Sequence, residues 1–314
     1  MKNSVRLGLL CNVSQGITIG GEGCLEIFSI TGRKVKIDGK TVSLESDVVC
    51  PVIGGGNVKR WKIKWNKEML IYPYDENGKP IELGVFNESA SATQIRKRLN
   101  KLIALGVVRH HNVAKYLAQF FEKLSKREFE GKPLFSYGKR WFELHRSRDL
   151  GIVGAKPKIV CTRMMEMNRF ALDEKGFLIL DSCMAIVLKQ NGKETLAALR
   201  KIRDATKESD DLKVKLILLK YLLGILNSSI TELLMKLSVP FLQGRYYQVS
   251  ESFLSDIPII IPKDSALIQD VVSAVEDCMK GKNANQKLNQ IVYRIYHMDE
   301  KSRRAEIEQY ISTR

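Results

Sequence analysis

An α+β protein is what this sequence predicts, with two β-rich lobes linked by long helices and C-terminal amphipathic helices after them. Three observations carry the prediction. Strand-length runs punctuated by Gly and Asp occupy residues 6 to about 86, helical spacing takes over from Ser89, and after short strands between Lys158 and Leu180 the helical period returns. The boundaries that follow are 1–88 for a first β-rich lobe, 89–133 for bridging helices, 134–263 for a second α/β lobe and 264–314 for a helical end. A chain of 314 residues is long enough to bury a sizeable core in this way.

In the first lobe, Val35-Lys36-Ile37 and Thr41-Val42-Ser43-Leu44 flank Asp38-Gly39-Lys40. Asp-Gly tolerates the positive φ angles of a tight turn, so this reads as a hairpin. Farther on, Arg60-Trp61-Lys62-Ile63-Lys64-Trp65 alternates strictly. As a strand it would turn Trp61, Ile63 and Trp65 to one face and Arg60, Lys62 and Lys64 to the other, giving a row of cations.

The bridging region spaces Ile95, Leu99, Leu102 and Ile103, then Val113, Tyr116, Leu117, Phe120, Phe121 and Leu124, as helices do. Gly106 is the expected break between two helices, and Pro133 the expected end of the second. Beyond it, Lys158 to Cys161, Phe170 to Leu172 and Phe177 to Leu180 read as strands, with Asp173-Glu174-Lys175-Gly176 as a turn. A Leu-rich helix is expected from about Leu212 to Ser228, and Phe253 to Pro262 should close the sheet. Asp264 is a candidate cap for the first of two terminal helices, which carry Leu267, Ile268, Val271, Val272 and Val275, then Leu288, Ile291, Val292 and Ile295.

Charge narrows the function. The chain holds 51 Lys+Arg against 35 Asp+Glu, a formal +16, which makes a polyanion the first partner to consider. From Tyr137 to Arg169 eight basic residues face three acids, Glu143, Asp149 and Glu166. Guanidinium groups among aromatic and short polar side chains suit phosphate contact combined with base-edge reading. The competing reading of this stretch is a charged edge strand protected from aggregation. The candidate DNA-binding residues are Arg60, Lys62, Lys64, Lys139, Arg140, Trp141, His145, Arg146, Arg148 and Arg163.

Six cysteines are never closer than thirteen apart, so neither a zinc site nor a disulfide framework is suggested, and free thiols in a reducing cytoplasm are expected. Leu7 to Cys11 is too short for the apolar core of a signal peptide, and Leu216 to Leu226 is interrupted by Lys220 and too short to span a bilayer. No membrane partner is expected. None of the eight prolines adjoins another, so the Asn/Asp-Pro-Pro-Tyr/Phe turn with which adenine methyltransferases hold a flipped base is missing. Gly20-Gly21-Glu22-Gly23 lacks a strand-turn-helix context for a nucleotide loop. Glu130-Gly131-Lys132 and Asp173-Glu174-Lys175 supply only fragments of a metal-dependent nuclease site. Of four histidines only His145 lies in the basic stretch, where a DNA-facing or hydrogen-bonded role is expected.

Several segments together resemble the TaqI-like C-terminal specificity domain of type IIG restriction-modification enzymes and adenine-N6 DNA methyltransferases. They are Val13-Ser14-Gln15-Gly16-Ile17-Thr18-Ile19-Gly20, similar to a Gln-Gly-Ile-x-Thr-Gly start with the Thr-Gly step displaced, Ile71-Tyr72-Pro73-Tyr74-Asp75 with Gly78-Lys79-Pro80-Ile81, Trp141 to Arg148, and Lys158-Ile159-Val160. Leu219 to Ser228 followed by Ile257-Pro258-Ile259 also resembles the recognition domains of type I specificity subunits. Leu288 to Tyr296 is similar to the Asp-x-x-Val-Tyr-x-Leu-Tyr-Gly-Leu ending of such enzymes, with Asn289 in place of Asp and His297-Met298 in place of Gly-Leu.

The resemblance implies sequence-specific recognition of double-stranded DNA without catalysis in this chain. Chemistry would belong to an upstream methyltransferase or nuclease domain or subunit using S-adenosylmethionine and, for cutting, magnesium; no cofactor is expected on these residues. Arg140, Arg146, Arg148 and Arg163 would contact phosphate or guanine, Lys62 and Lys64 the backbone, and Trp141 would pack beneath the reading loop. Two alternatives stay open here: a complete nuclease or methyltransferase with a degenerate site, and a non-specific RNA-binding protein.

Overall fold

The computed structural model describes residues 4–21, 23–28, 33–84, 91–242 and 246–313, and has the α+β character expected. The chain forms two compact units that interleave along its length. One comprises residues up to Gly16, Gly54–Lys64 and Gly154–Arg314; the other comprises Ile17–Ile53 and Trp65–Val153. The four consecutive segments expected from the sequence run in chain order, whereas each unit here gathers separated stretches. Part of the junction expected between 88 and 89 lies outside the described residues.

The first unit is built on an antiparallel sheet of Phe170–Asp173, Lys158–Thr162, Cys183–Leu188 and Cys11–Gln15, in that order. Every residue of Lys158–Thr162 is buried, as befits an inner strand covered on both faces. The helix Asp211–Leu226 packs on this sheet and is itself clasped by Ser265–Met279. Nine of its residues are buried, including Tyr221, Leu222 and Leu223, so its near-continuous apolar run is core. Among the described residues no single helix is long and apolar enough to cross a membrane.

Inside this sheet lies a charge. Lys158 and Asp173 are both 0% exposed, with Nζ 2.6 Å from Oδ2. The ammonium also donates to the carbonyls of Ala155 and Phe177, and the carboxylate accepts the amides of Lys175, Gly176 and Phe177. Buried charges persist when paired and fully hydrogen-bonded. The Asp173–Gly176 turn is therefore held from within, and Lys158 is withdrawn from any polyanion.

Some elements differ from the sequence expectation. The alternating 60–65 run is not one continuous strand: only Lys62–Ile63 within it is strand, paired with Val58–Lys59 across a two-residue loop in which Trp61 sits at φ 75. Its indole donates to Asn285 and packs into the core, so tertiary burial overrides the alternation. Lys62 and Lys64 stay exposed, but Arg60 does not join them in a row. Phe253 to Pro262 gives the helix Glu251–Asp256 and the two-residue strand Pro258–Ile259, which pairs with Val5–Arg6 and not with the main sheet. Cys183–Leu188, Lys193–Thr206, Ser229–Ser238 and Lys301–Thr313 are additional elements.

At the C-terminal end, Asp264 caps Ser265–Met279 by accepting the Ala266 amide at 2.9 Å. Asn289 Oδ1 accepts the Ser229 amide at 3.0 Å, so the exchange of carboxylate for amide retains the acceptor. His297 adopts φ 55, the left-handed conformation that glycine takes without strain.

The second unit carries the hairpin Lys34–Ile37 and Lys40–Ser43, joined by Asp38 and Gly39 at φ 48 and 78 as Asp-Gly favours. It also carries Glu26–Phe28, Glu68–Ile71 and Val49–Ile53, paired antiparallel with Glu68–Ile71 in the middle. The helix Ala92–Ala104 begins at a Ser91–Gln94 capping box and ends before Gly106, at φ 72. The second bridging helix is broken into His111–Ala118 and Phe121–Ser125. These helices belong to this unit, with His111–Ala118 packed on the first hairpin strand. Pro133 ends a hairpin, Glu128–Phe129 with Lys132–Pro133, because Glu130 and Gly131 both adopt positive φ.

Candidate nucleic-acid interface

The second unit holds six of the ten sequence-selected residues: Lys139, Arg140, Trp141, His145, Arg146 and Arg148. They lie on one irregular loop, which is fixed by a residue that the sequence did not single out. Arg127, only 8% exposed, donates to the carbonyls of Leu124 (3.0 Å), Ile19 (3.3 Å), Trp141 (2.8 Å) and Glu143 (2.7 Å). Burial lowers its guanidinium pKa to about 10, so it remains charged at neutral pH.

Side chains from the Tyr72-Pro73-Tyr74 segment tether the loop further. Tyr74 Oη accepts the Leu144 amide at 2.9 Å, and Tyr72 Oη lies 3.4 Å from the Ser147 carbonyl it donates to. Burial pushes the Tyr72 phenol up to about 12, so it stays a donor. Trp141 is 1% exposed, packs against Phe121 and Phe142, and donates to the Gly84 carbonyl. It supports the loop and does not reach its surface. Arg140 bonds Glu82 and the Ile81 carbonyl, and Lys139 donates to the Leu144 carbonyl, so both cations brace the loop.

Arg146 is the cation that faces outward. Its backbone bridges to Thr18, its guanidinium lies over Phe129 at 5.0 Å, and Nη2 is 2.7 Å from Glu130 Oε1 with the side chain 46% exposed. Stacking and a single carboxylate hold the fork in one orientation at modest cost, because an exposed pair is worth little on its own. Arg148 follows at φ 63, half-buried.

His145 is half-buried against Phe129, and a Cβ on Gly20 would fall 2.1 Å from its ring, which explains glycine there at φ 66. Its Nε2 is buried with no hydrogen-bond partner among the described residues. Burial first, then Arg127 and Lys139, lower its pKa from 6.5. The folded ring is thus neutral where the unfolded ring is protonated. As pH falls through 6.5 the unfolded chain gains a proton that the folded one refuses, and stability drops until the lower folded pKa is passed. Thermal melts from about pH 7.5 to 5 should therefore show a steeper acid loss for wild type than for His145→Gln; parallel curves would refute this.

The other four residues lie in the first unit. Arg60 is half-buried, donates to the Asn227 carbonyl at 2.5 Å and lies over Trp61, so it is a packing residue. Lys62 and Lys64 are exposed. Arg163 is half-buried, its backbone bonded to Ser182 and Val249, and it borders a surface cavity of about 340 Å³ with Gln15, Gln248 and Glu251.

The nuclease fragments fare poorly as metal ligands. Asp173 is buried with its oxygens engaged, and Glu130 bonds Arg146 from a tight turn. Among the described residues no three His, Cys, Asp or Glu side chains gather to hold a metal ion. Glu22 of the Gly20–Gly23 turn lies outside the described residues.

No family model and no curated protein matches this sequence. Among solved structures, the fold is similar to that of the Type IIL restriction-modification enzyme MmeI, determined in complex with DNA. The match has a TM-score of 0.53 at 11% identity and covers 97% of this chain and 36% of that enzyme. At this identity the likeness is one of fold. The chain spans about a third of the length of the protein it matches.

Proposed function

We propose that this chain is the DNA-recognition part of a restriction-modification enzyme and selects the sequence on which a methyltransferase or nuclease part acts. The observation that carries the reading is the 139–148 loop: its backbone is pinned by Arg127, Tyr72 and Tyr74, and it presents the oriented guanidinium of Arg146 outward. A reading element must hold its donors in place before the duplex arrives, and a rigidly supported fork suits guanine O6/N7 or a phosphate. Net charge and likeness of fold to an enzyme solved with DNA support the same reading.

S-adenosylmethionine and magnesium belong, on this reading, to the catalytic part, and no step through them is assigned to residues of this chain. Lys62 and Lys64 act as backbone contacts, whereas Arg60, Arg140 and Trp141 support the fold.

The test is duplex selection from a randomised pool, followed by affinity and salt titrations. Arg146→Ala should cost ~1–3 kcal/mol on the selected site and little on unrelated duplexes. Lys62→Ala should weaken all duplexes alike and flatten the salt slope by about 1. If neither substitution changed binding to any duplex, the reading would fall.

A further inference from the structure

We propose that the helix Ala92–Ala104, with the neighbouring hairpin Lys34–Ser43, is a second contact for the duplex phosphate backbone, separate from the 139–148 loop. The inference rests on the DNA-binding reading above and adds a site to it.

From Ser91 to Phe121 the sequence has six Lys or Arg and no Asp or Glu. Ile95 and Leu99 are the buried positions of the helix, and Lys97, Arg98 and Lys101 are exposed. Lys101 follows Lys97 by four positions and Arg98 by three, both neighbouring spacings on a helix surface, so these cations form one cluster on the solvent side. Lys97 and Lys101, one turn apart, repel each other, and the helix contains no acid to relieve them. Its capping box uses neutral Gln94 at the place where glutamate would also favour the helix dipole.

The hairpin extends the patch. Val35 and Ile37 are buried while Lys34, Lys36 and Lys40 are exposed. Asp38, the hairpin's single acid, is taken up by Arg96 at 3.4 Å, which sets the hairpin turn beside the helix. Surfaces that serve solubility alone intersperse both signs. A helix that accepts its own repulsion, next to a hairpin whose acid is neutralised, has the electrostatics of a polyphosphate contact.

The experiment uses the full chain and a random-sequence duplex of about thirty base pairs, titrated from about 50 to 200 mM salt. Lys97→Gln/Lys101→Gln keeps good helix formers, so its melting temperature should equal or exceed that of wild type. Lys215→Gln/Lys287→Gln, at exposed positions of the first unit, is the charge-matched control. The expected result is several-fold weaker duplex binding, with a salt slope smaller by about 1 to 2, for the helix variant alone. Wild-type binding by the helix variant, or an equal loss in the control, would overturn the second site and leave the recognition reading intact. Failure of the unaltered chain to bind any duplex would overturn both. Equal weakening toward anionic lipid vesicles, with duplex binding unchanged, would reassign the patch and also overturn the proposal.

Discussion

Arg127→Met is expected to destabilise the second unit by about 3–5 kcal/mol and to disorder the reading loop with it. The guanidinium is nearly enclosed, and its four carbonyl partners come from residues 19, 124, 141 and 143, so no neighbour can replace it. Methionine fills a similar volume but removes the guanidinium donor from all four carbonyls, of which that of Ile19 retains the His145 amide. The carboxylate of Glu143, itself 7% exposed, also loses the positive charge beside it. Arg127→Lys should recover only a part, because one ammonium cannot reach what a planar fork reaches. Urea unfolding gives the loss, and amide exchange at residues 141–147 reports the loop. A midpoint unchanged from wild type, with those amides still protected, would show that the hub is dispensable.

Lys158→Met should cost a comparable ~3–5 kcal/mol in the first unit, since it strands the Asp173 carboxylate in a fully buried site. Lys158→Met/Asp173→Asn is expected to recover most of that loss. The amide oxygen in the Oδ1 place still accepts from Lys175 and Gly176 while the uncompensated charge is gone, and the Phe177 amide, which uses Oδ2, accounts for the part not recovered. The double-mutant cycle separates pair from turn. A single substitution costing less than about 1 kcal/mol would contradict the geometry.

Features set by neighbouring residues were legible in the sequence. Asp38-Gly39 demanded its hairpin, Gly106 its helix end, and Asp264 its cap, because each depends on local backbone chemistry. Cys183–Leu188 was missed because a continuous apolar run lacks the alternation that marks a half-exposed strand. The Arg60–Trp65 run misled for the converse reason: it alternates, yet Trp61 gains more from the core than a strand would give it. In the candidate site, the aromatic and basic composition of 139–148 pointed to the loop. It did not separate Arg146, which faces out, from Arg140 and Trp141, which brace it. Arg127 was illegible because most of its partners are distant in sequence and a buried arginine looks like any other charge at a helix end.

The interleaving of the two units bears on how this molecule can be dissected or redesigned. A deletion series from either end will damage the first unit, which uses both ends of the chain, so truncation cannot isolate what the 139–148 loop does. Transplanting the loop-bearing body into a homologous scaffold would require moving 17–53 and 65–153 together, with the scaffold supplying its own version of 54–64. A graft confined to 139–148 would leave behind Arg127, Tyr72 and Tyr74, and the recipient would gain the letters of the loop without its shape.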